Sequence, residues 1–203
     1  MKTPDSILAG DLSGMLAAPL PWEALYGRHI LVTGASGFIG GHVVEALAWL
    51  NRLQPQANLQ VYALARDLEK LRQRMPWLDM PGEVTPLIQD VTQPCGLAAP
   101  LDFIIHAASP ASPKDYLQRP VDTIRANADG TRALLELARD KQARVLFLSS
   151  GAVYGDNPWQ TDAIAEGDFG REDPLAPRAC YGESKRLAET LCRAYHTQYG
   201  VDA

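Results

Sequence analysis

The sequence predicts an α/β protein built on one parallel, doubly wound sheet, and three observations carry that prediction. Short apolar runs recur at 30–32, 59–65, 84–88, 102–106 and 145–148, with the length and composition of buried strands. Helical patterns alternate with them, as the crossovers of a parallel sheet require. Between the first strand and the first helix, Gly34, Gly37 and Gly40 stand at equal spacing.

That glycine turn organises the rest. A strand turning through glycines into a helix presents free backbone N–H groups and the positive end of the helix dipole, a site for a pyrophosphate. Gly34 permits the tight turn, Gly37 the close approach of the phosphates, and Gly40 close packing of helix on strand. Ser36, Phe38 and Ile39 complete the segment. The expected architecture is a Rossmann-type fold that binds NAD or NADP at the carboxyl ends of its strands.

In chain order, 6–26 reads as a short helix and a proline-bounded connection against the outside of the domain. Residues 1–27 are then an N-terminal helical extension, and 28–203 the dinucleotide-binding domain. The first helix ends near Asn51. The second strand ends at Arg66 and Asp67, where such folds contact the adenosine ribose. An acidic residue there suits the free 2′-hydroxyl of NAD, an arginine the 2′-phosphate of NADP. Arg66 points toward NADP, and Asp67 blurs the signal. A helix over 68–75 is stopped by Pro76.

The third strand runs into Asp90 and Val91. The fourth runs into His106, Ala107, Ala108 and Ser109, small residues where a cofactor must pass close to the backbone. Nothing supplies His106 with a partner carboxylate, so it reads as a packed or backbone-bonded histidine. A long helix over 121–139 contains Asn127. The fifth strand leads into Ser149–Gly155, and a polar excursion covers 156–177. A last helix starts near Tyr181, with Gly200 as its C-cap.

The chain has 203 residues, 46% hydrophobic and 21% charged, which suits one globular core. A net charge of −5 without any basic run argues against nucleic acid or an anionic membrane as partners. No apolar run reaches the length of a membrane span, and no basic-then-apolar start marks a secretory signal. Cys95, Cys180 and Cys192 are odd in number and lack metal-ligand spacing, which suits free thiols in the cytoplasm and no metal site.

Chemistry concentrates near the end of the chain. Tyr181 and Lys185 sit at i and i+4, on one helix face. A free phenol is a poor base at neutral pH, but a neighbouring positive charge favours the phenolate. The pair is suited to taking a proton from a substrate hydroxyl. Ser150, at the carboxyl end of the fifth strand, is placed to hydrogen-bond the same substrate oxygen.

Thr33-Gly34-Ala35-Ser36-Gly37-Phe38-Ile39-Gly40 resembles the glycine motif of the extended short-chain dehydrogenase/reductases. Ser109-Pro110-Ala111-Ser112-Pro113, with Tyr116 after it, resembles the corresponding stretch of UDP-glucuronic acid decarboxylases. So does Pro177-Arg178-Ala179-Cys180-Tyr181, followed by Lys185-Arg186 and Ala188-Glu189-Thr190. The resemblance covers Ile30 to Ala203. It implies an NAD(P)-dependent epimerase/dehydratase-family enzyme acting on a nucleotide sugar, homodimeric when full length, and it favours NAD as the cofactor where Arg66 favours NADP. It implies that Ser150, Tyr181 and Lys185 are catalytic, with Tyr181 and Lys185 also against the cofactor. Asp90 and Val91 would lie beside the adenine, Ala107, Ala108 and Ser109 along the cofactor, and Asn127 would hold active-site structure.

Two departures from that pattern matter. The decarboxylases carry a glutamate two residues after the catalytic hydroxyl, and the 4,6-dehydratases an aspartate–glutamate pair directly after it. This chain has Gly151 and Ala152 there. A 4-epimerase needs neither carboxylate, and its pattern is closer to Ser150–Gly155. Extended enzymes also continue into another strand and a smaller substrate-binding domain, so the chain is expected to be truncated at Ala203. The expected activity is oxidation of a sugar hydroxyl to a transient 4-keto intermediate, with epimerisation as the outcome. The alternatives are a UDP-glucuronate decarboxylase or dTDP-glucose 4,6-dehydratase-like lyase, an NADPH-dependent carbonyl reductase, and a non-catalytic dinucleotide-binding module.

Overall fold

A computed structural model of the chain describes residues 6–80, 84–156 and 163–203. Five strands, β1 (His29–Thr33), β2 (Gln60–Ala65), β3 (Thr85–Ile88), β4 (Phe103–His106) and β5 (Arg144–Phe147), lie parallel in the order β3-β2-β1-β4-β5. The chain starts in the middle and winds outward twice, which leaves a topological switch between β1 and β4. Register aligns the strand ends there, with Thr33 opposite both Leu64 and His106.

Among the described residues, six α-helices accompany the sheet: α1 (Ser6–Leu16), α2 (Phe38–Leu53), α3 (Leu68–Arg74), α4 (Pro113–Gln118), α5 (Pro120–Lys141) and α6 (Ala179–Tyr199). Alternation along β1 sends Ile30 and Val32 into one core, with Val44 and Leu47 of α2 and Leu71 of α3. Leu31 enters the opposite core, with Leu134 and Leu135 of α5 and Cys192 and Tyr195 of α6. Both faces of the strand are covered, which is why its sequence is apolar without a break. α1 lies against α2 with Leu12 buried, and a short 3₁₀ turn at Trp22–Leu25 leads on to β1. Two guanidinium bonds from Arg74 to the buried Glu45, at 2.7 and 2.6 Å, tie α3 to α2.

Several boundaries differ from the sequence reading, each for a local reason. α4 was not foreseen, because its six residues span less than two helical turns and show no apolar period. α5 begins at Pro120, whose fixed φ suits a first helical turn, and runs on until Gln142 takes a left-handed φ of 56°. α6 begins two residues before Tyr181 and ends where Gly200, at φ 71°, donates its N–H to His196 O. Part of the 156–177 excursion lies outside the described residues; within the rest, Asp156 and Arg171 form an antiparallel bridge. Beyond α6 the chain returns beside β5, where Val145 N–H donates to Asp202 O at 2.8 Å. Among the described residues, no helix is long and apolar enough to cross a membrane.

Candidate functional site

A cleft of about 510 Å³ runs along the carboxyl ends of β1 to β4, and the glycine turn forms its floor. Gly34 has φ +68°, and a Cβ there would lie 2.7 Å from Ala107 O. Backbone conformation and close approach of the β4 end therefore both demand glycine. A Cβ at Gly40 would lie 2.5 Å from Gly34 O, so glycine alone lets α2 sit down on the turn. Gly37 is the N-cap of α2 and lines the cleft. The N–H groups of Phe38, Ile39 and Gly40 that follow it have no intrahelical acceptor. The Phe38 and Ile39 side chains point away into solvent, 79% and 57% exposed, so these two residues offer the cleft backbone alone.

Ser36, Arg66, Asp90, Val91, Ala107, Ala108 and Ser109 all line the cleft. Asp67 does not: its carboxylate accepts the Lys70 N–H at 3.1 Å and caps α3. Asp90 Oδ1 accepts both the N–H and the hydroxyl of Thr92, at 2.9 and 2.8 Å. Burial works against the Asp90 carboxylate, but the Thr92 bonds and the nearby Arg66 and Arg125 outweigh it, holding its pKa below the ordinary value. The Ser109 hydroxyl is buried on the cleft wall with no partner among the described residues. A floor of backbone N–H groups closed to side chains, with an orphan hydroxyl above it, fits a bound dinucleotide.

Sequence reasoning missed the contribution of α4 and α5, which bring Asp115, Arg119, Asp122, Arg125 and Ala126 to the opposite wall. The spacing of 119, 122 and 126 marks one helical face. Asp122, Arg125 and Ala126 lie inside the helix expected over 121–139, and only the packing of α5 beside the strand ends brings them to the cleft.

The catalytic candidates gather elsewhere, at the end of β5 and the start of α6. Ser150 Oγ accepts the Ala152 N–H at 3.2 Å and caps a 3₁₀ turn at Gly151–Tyr154. α6 packs directly on that turn, since a Cβ at Gly182 would lie 3.1 Å from Ala152 O. Tyr181 therefore stands beside the turn, lining a second cavity of about 190 Å³ with Ala152, Glu172 and Arg178. Its ring stacks on Tyr116 of α4, with centroids 5.3 Å apart and planes 14° from parallel. Lys185 is 3% exposed; its Nζ donates to Leu148 O at 2.7 Å and sits 4.5 Å from the centre of the Phe147 ring. Burial lowers its pKa to about 8, with Glu189 opposing the shift.

Ser150, Tyr181 and Lys185 are absent from the wall of the larger cleft. So is Asn127, which is fully buried between helices and donates Nδ2 to Ser184 Oγ at 2.9 Å. It pins α5 to α6 one residue from Lys185. His106 is buried and hydrogen-bonded to the Thr33 hydroxyl at 2.9 Å, and burial, with Lys185 adding to it, pushes its pKa down to about 3. It is a neutral packing residue. Among the described residues, no group of acidic, histidine or cysteine side chains could hold a metal ion.

A doubly wound parallel sheet with a glycine turn at its switch point, and a Tyr-x-x-x-Lys helix beside it, defines a dinucleotide-binding protein of the short-chain dehydrogenase/reductase type. The family model for the NAD dependent epimerase/dehydratase family matches residues 30–203. The chain belongs to that family. It is 37% identical over 176 residues to UDP-glucuronic acid decarboxylase 1 of Xenopus tropicalis, covering 86% of this chain and 39% of that protein. It is 39% identical to UDP-glucuronic acid decarboxylase 6 of Arabidopsis thaliana, covering 85% and 48%. Among solved structures, a UDP-galactose 4-epimerase superposes with a TM-score of 0.62 at 26% identity, over 86% of this chain and 53% of that one. The dTDP-glucose 4,6-dehydratase of Bacillus anthracis, solved with NAD, gives 0.63 at 18% identity, over 86% and 52%. The chain thus spans less than half the length of these two decarboxylases.

Proposed function

We propose that this chain is the cofactor-binding and catalytic part of a nucleotide-sugar 4-epimerase, with residues 28–203 as the working unit and 1–27 as an N-terminal extension whose helix α1 lies against α2. The observation that carries the reading is the meeting of Tyr181, Lys185 and the Ser150 turn at one end of α6, next to a cleft suited to a dinucleotide. Bound in that cleft, a nicotinamide dinucleotide supplies a hydride acceptor and, later, a donor. Tyr181 takes the proton from the sugar C4 hydroxyl. Ser150, whose oxygen already accepts the Ala152 N–H, turns its own hydrogen toward the same substrate oxygen. Lys185 is held by a carbonyl and an aromatic face rather than by a carboxylate, so its charge remains available to favour the phenolate. Re-reduction of the 4-keto sugar from its other face completes the epimerisation.

Elimination of water needs an acid at the leaving hydroxyl and a base at the adjacent carbon. Gly151 and Ala152 supply neither. A Cβ at Gly151 would meet nothing within 4 Å, so a carboxylate has room there that the sequence leaves unfilled. The second reading is decarboxylation, favoured by the 37–39% identity to UDP-glucuronic acid decarboxylases. A β-keto acid loses carbon dioxide without those groups. Product masses after incubating the full-length protein with UDP-hexoses, dTDP-hexoses and UDP-glucuronate decide between them. An isomer of unchanged mass supports epimerisation, and loss of carbon dioxide from the glucuronate transfers the proposal to decarboxylation. A 4-keto-6-deoxy product, lighter by one water, overturns both.

A further inference from the structure

We infer that α1 is a releasable strap whose docking on α2 braces the phosphate-binding turn, so that a docked α1 and a dinucleotide in the cleft favour each other. The inference rests on the dinucleotide reading of the cleft. α1 is by itself a weak helix. Its 11 residues fall short of the length at which isolated helices hold. Gly10 and Gly14 stand inside it, and a Cβ at either would meet nothing within 4 Å, so close packing requires neither glycine. Of the α1 side chains described, Leu12 alone is buried, and Ser13 Oγ accepts the Trp49 indole N–H of α2 at 3.3 Å. The connection behind α1 is anchored differently. Trp22, Leu25 and Tyr26 pack against the core, and the Tyr26 hydroxyl bonds to Gln54. α1 can therefore lift away while its hinge stays in place.

What α1 covers leads to the turn. Leu8 and Leu12 close over Glu45, Trp49 and Trp77, leaving a crevice of about 10 Å³, room for one water at most. Glu45 is 3% exposed, and both its oxygens hold Arg74. Arg74 in turn lies on the first turn of α2. Its Nε would be 2.8 Å from a Cβ at Gly41, and its Nη2 is 3.1 Å from His42 Nδ1. His42 Nδ1 is 2.8 Å from Phe38 O, and the two rings meet edge to face. That same turn carries the free N–H groups of Phe38, Ile39 and Gly40. Opposite charges attract more strongly away from water. With α1 docked, Glu45 stays dry, Arg74 is fixed, and the N–H groups are aimed before a ligand arrives. With α1 lifted, water reaches Glu45, the brace loosens, and binding must first order the turn. α1 then acts on the cleft without touching the dinucleotide.

The test is amide hydrogen exchange on the 203-residue chain, with calorimetric titration of NAD. Saturating NAD should slow exchange in α1 by about fivefold or more, the lower end of ordinary coupling between two sites. By reciprocity Leu12→Asp, which lifts α1 off, should weaken NAD binding by the same factor and let α1 exchange freely. Gly10→Ala combined with Gly14→Ala should slow α1 exchange without ligand by about fivefold per site, the helix-forming advantage of alanine. Exchange in α1 that the alanine pair leaves unchanged overturns the releasable helix. Exchange in α1 unmoved by NAD, in a chain that binds NAD, overturns the coupling and leaves the dinucleotide cleft intact; this measurement needs no variant to fold. Unchanged NAD affinity in a folded Leu12→Asp chain whose α1 exchanges freely does the same. A chain that binds no NAD overturns the coupling together with the reading of the cleft on which it rests.

Discussion

The two halves of the candidate site are built from different materials. The glycine turn at β1–α2 offers the cleft mainly backbone: Gly34, Gly37 and Gly40 carry no side chain, Phe38 and Ile39 turn theirs to solvent, and Ser36 alone brings a polar side chain to the wall. The end of β5 and the start of α6 present side chains instead, a phenol stacked on Tyr116 and an ammonium buried under Leu148 and Phe147. A backbone cradle tolerates little added volume but needs no tuning of charge. A side-chain site tolerates changes of shape, while its chemistry depends on burial and on neighbours. The same substitution logic should therefore give opposite outcomes in the two regions.

The largest effect belongs to the side-chain half. Tyr181→Phe in the full-length enzyme should lower sugar oxidation by about 10²–10⁴-fold, the usual worth of a positioned proton transfer, and leave dinucleotide affinity unchanged. Turnover like that of the unmodified enzyme would dissolve the contrast between the halves.

In the backbone half, Gly37→Asp should do the reverse. Gly37 has an extended backbone at φ −84° and ψ 178°, and aspartate is a favoured residue at a helix N-cap. A Cβ there meets Gly34 O at 3.0 Å, so the turn must give by a few tenths of an ångström. The fold should survive. The new carboxylate takes the N–H groups that phosphate would use, and dinucleotide affinity should fall by about 100-fold or more, read by titration. Unchanged affinity would remove the glycine turn from the site.

Lys185 sharpens the comparison through pH. Its folded pKa, about 8, lies below that of an exposed lysine, so between roughly pH 8 and 10.4 the unfolded chain binds the extra proton. Stability from this group therefore rises with pH across that window and is at its lowest below pH 8. Lys185→Met should remove that rise. After the loss of the Leu148 bond is set against the relief of a buried charge, it should stabilise the chain at pH 7 by on the order of 2 kcal/mol. Urea unfolding at pH 7 and pH 10 measures both; an unchanged pH slope would mean that the ammonium is better solvated than its burial implies.

The smallest effect is Asp67→Ala. Losing the α3 cap should cost about 1 kcal/mol by urea unfolding, with no change in the ratio of NADP to NAD affinity. A shift of that ratio toward NADP would return Asp67 to the cleft.

Much of this molecule was readable from residue order alone. Strands buried on both faces carry unbroken apolar runs, and a backbone cradle needs glycine at fixed positions, so β1, the turn and α2 declare themselves locally. The i, i+4 spacing of Tyr181 and Lys185 is equally local. Other decisions required the folded chain. Nothing local distinguishes Arg66 from Asp67 as the cleft residue until α3 claims the aspartate as its cap. The stacking of Tyr116 on Tyr181 joins residues 65 apart in sequence, and the burial of Lys185 depends on β5 meeting α6. Periodicity and backbone conformation are short-range and leave a mark in the sequence. Charge, burial and stacking depend on which distant segments come together, and only the tertiary structure settles that.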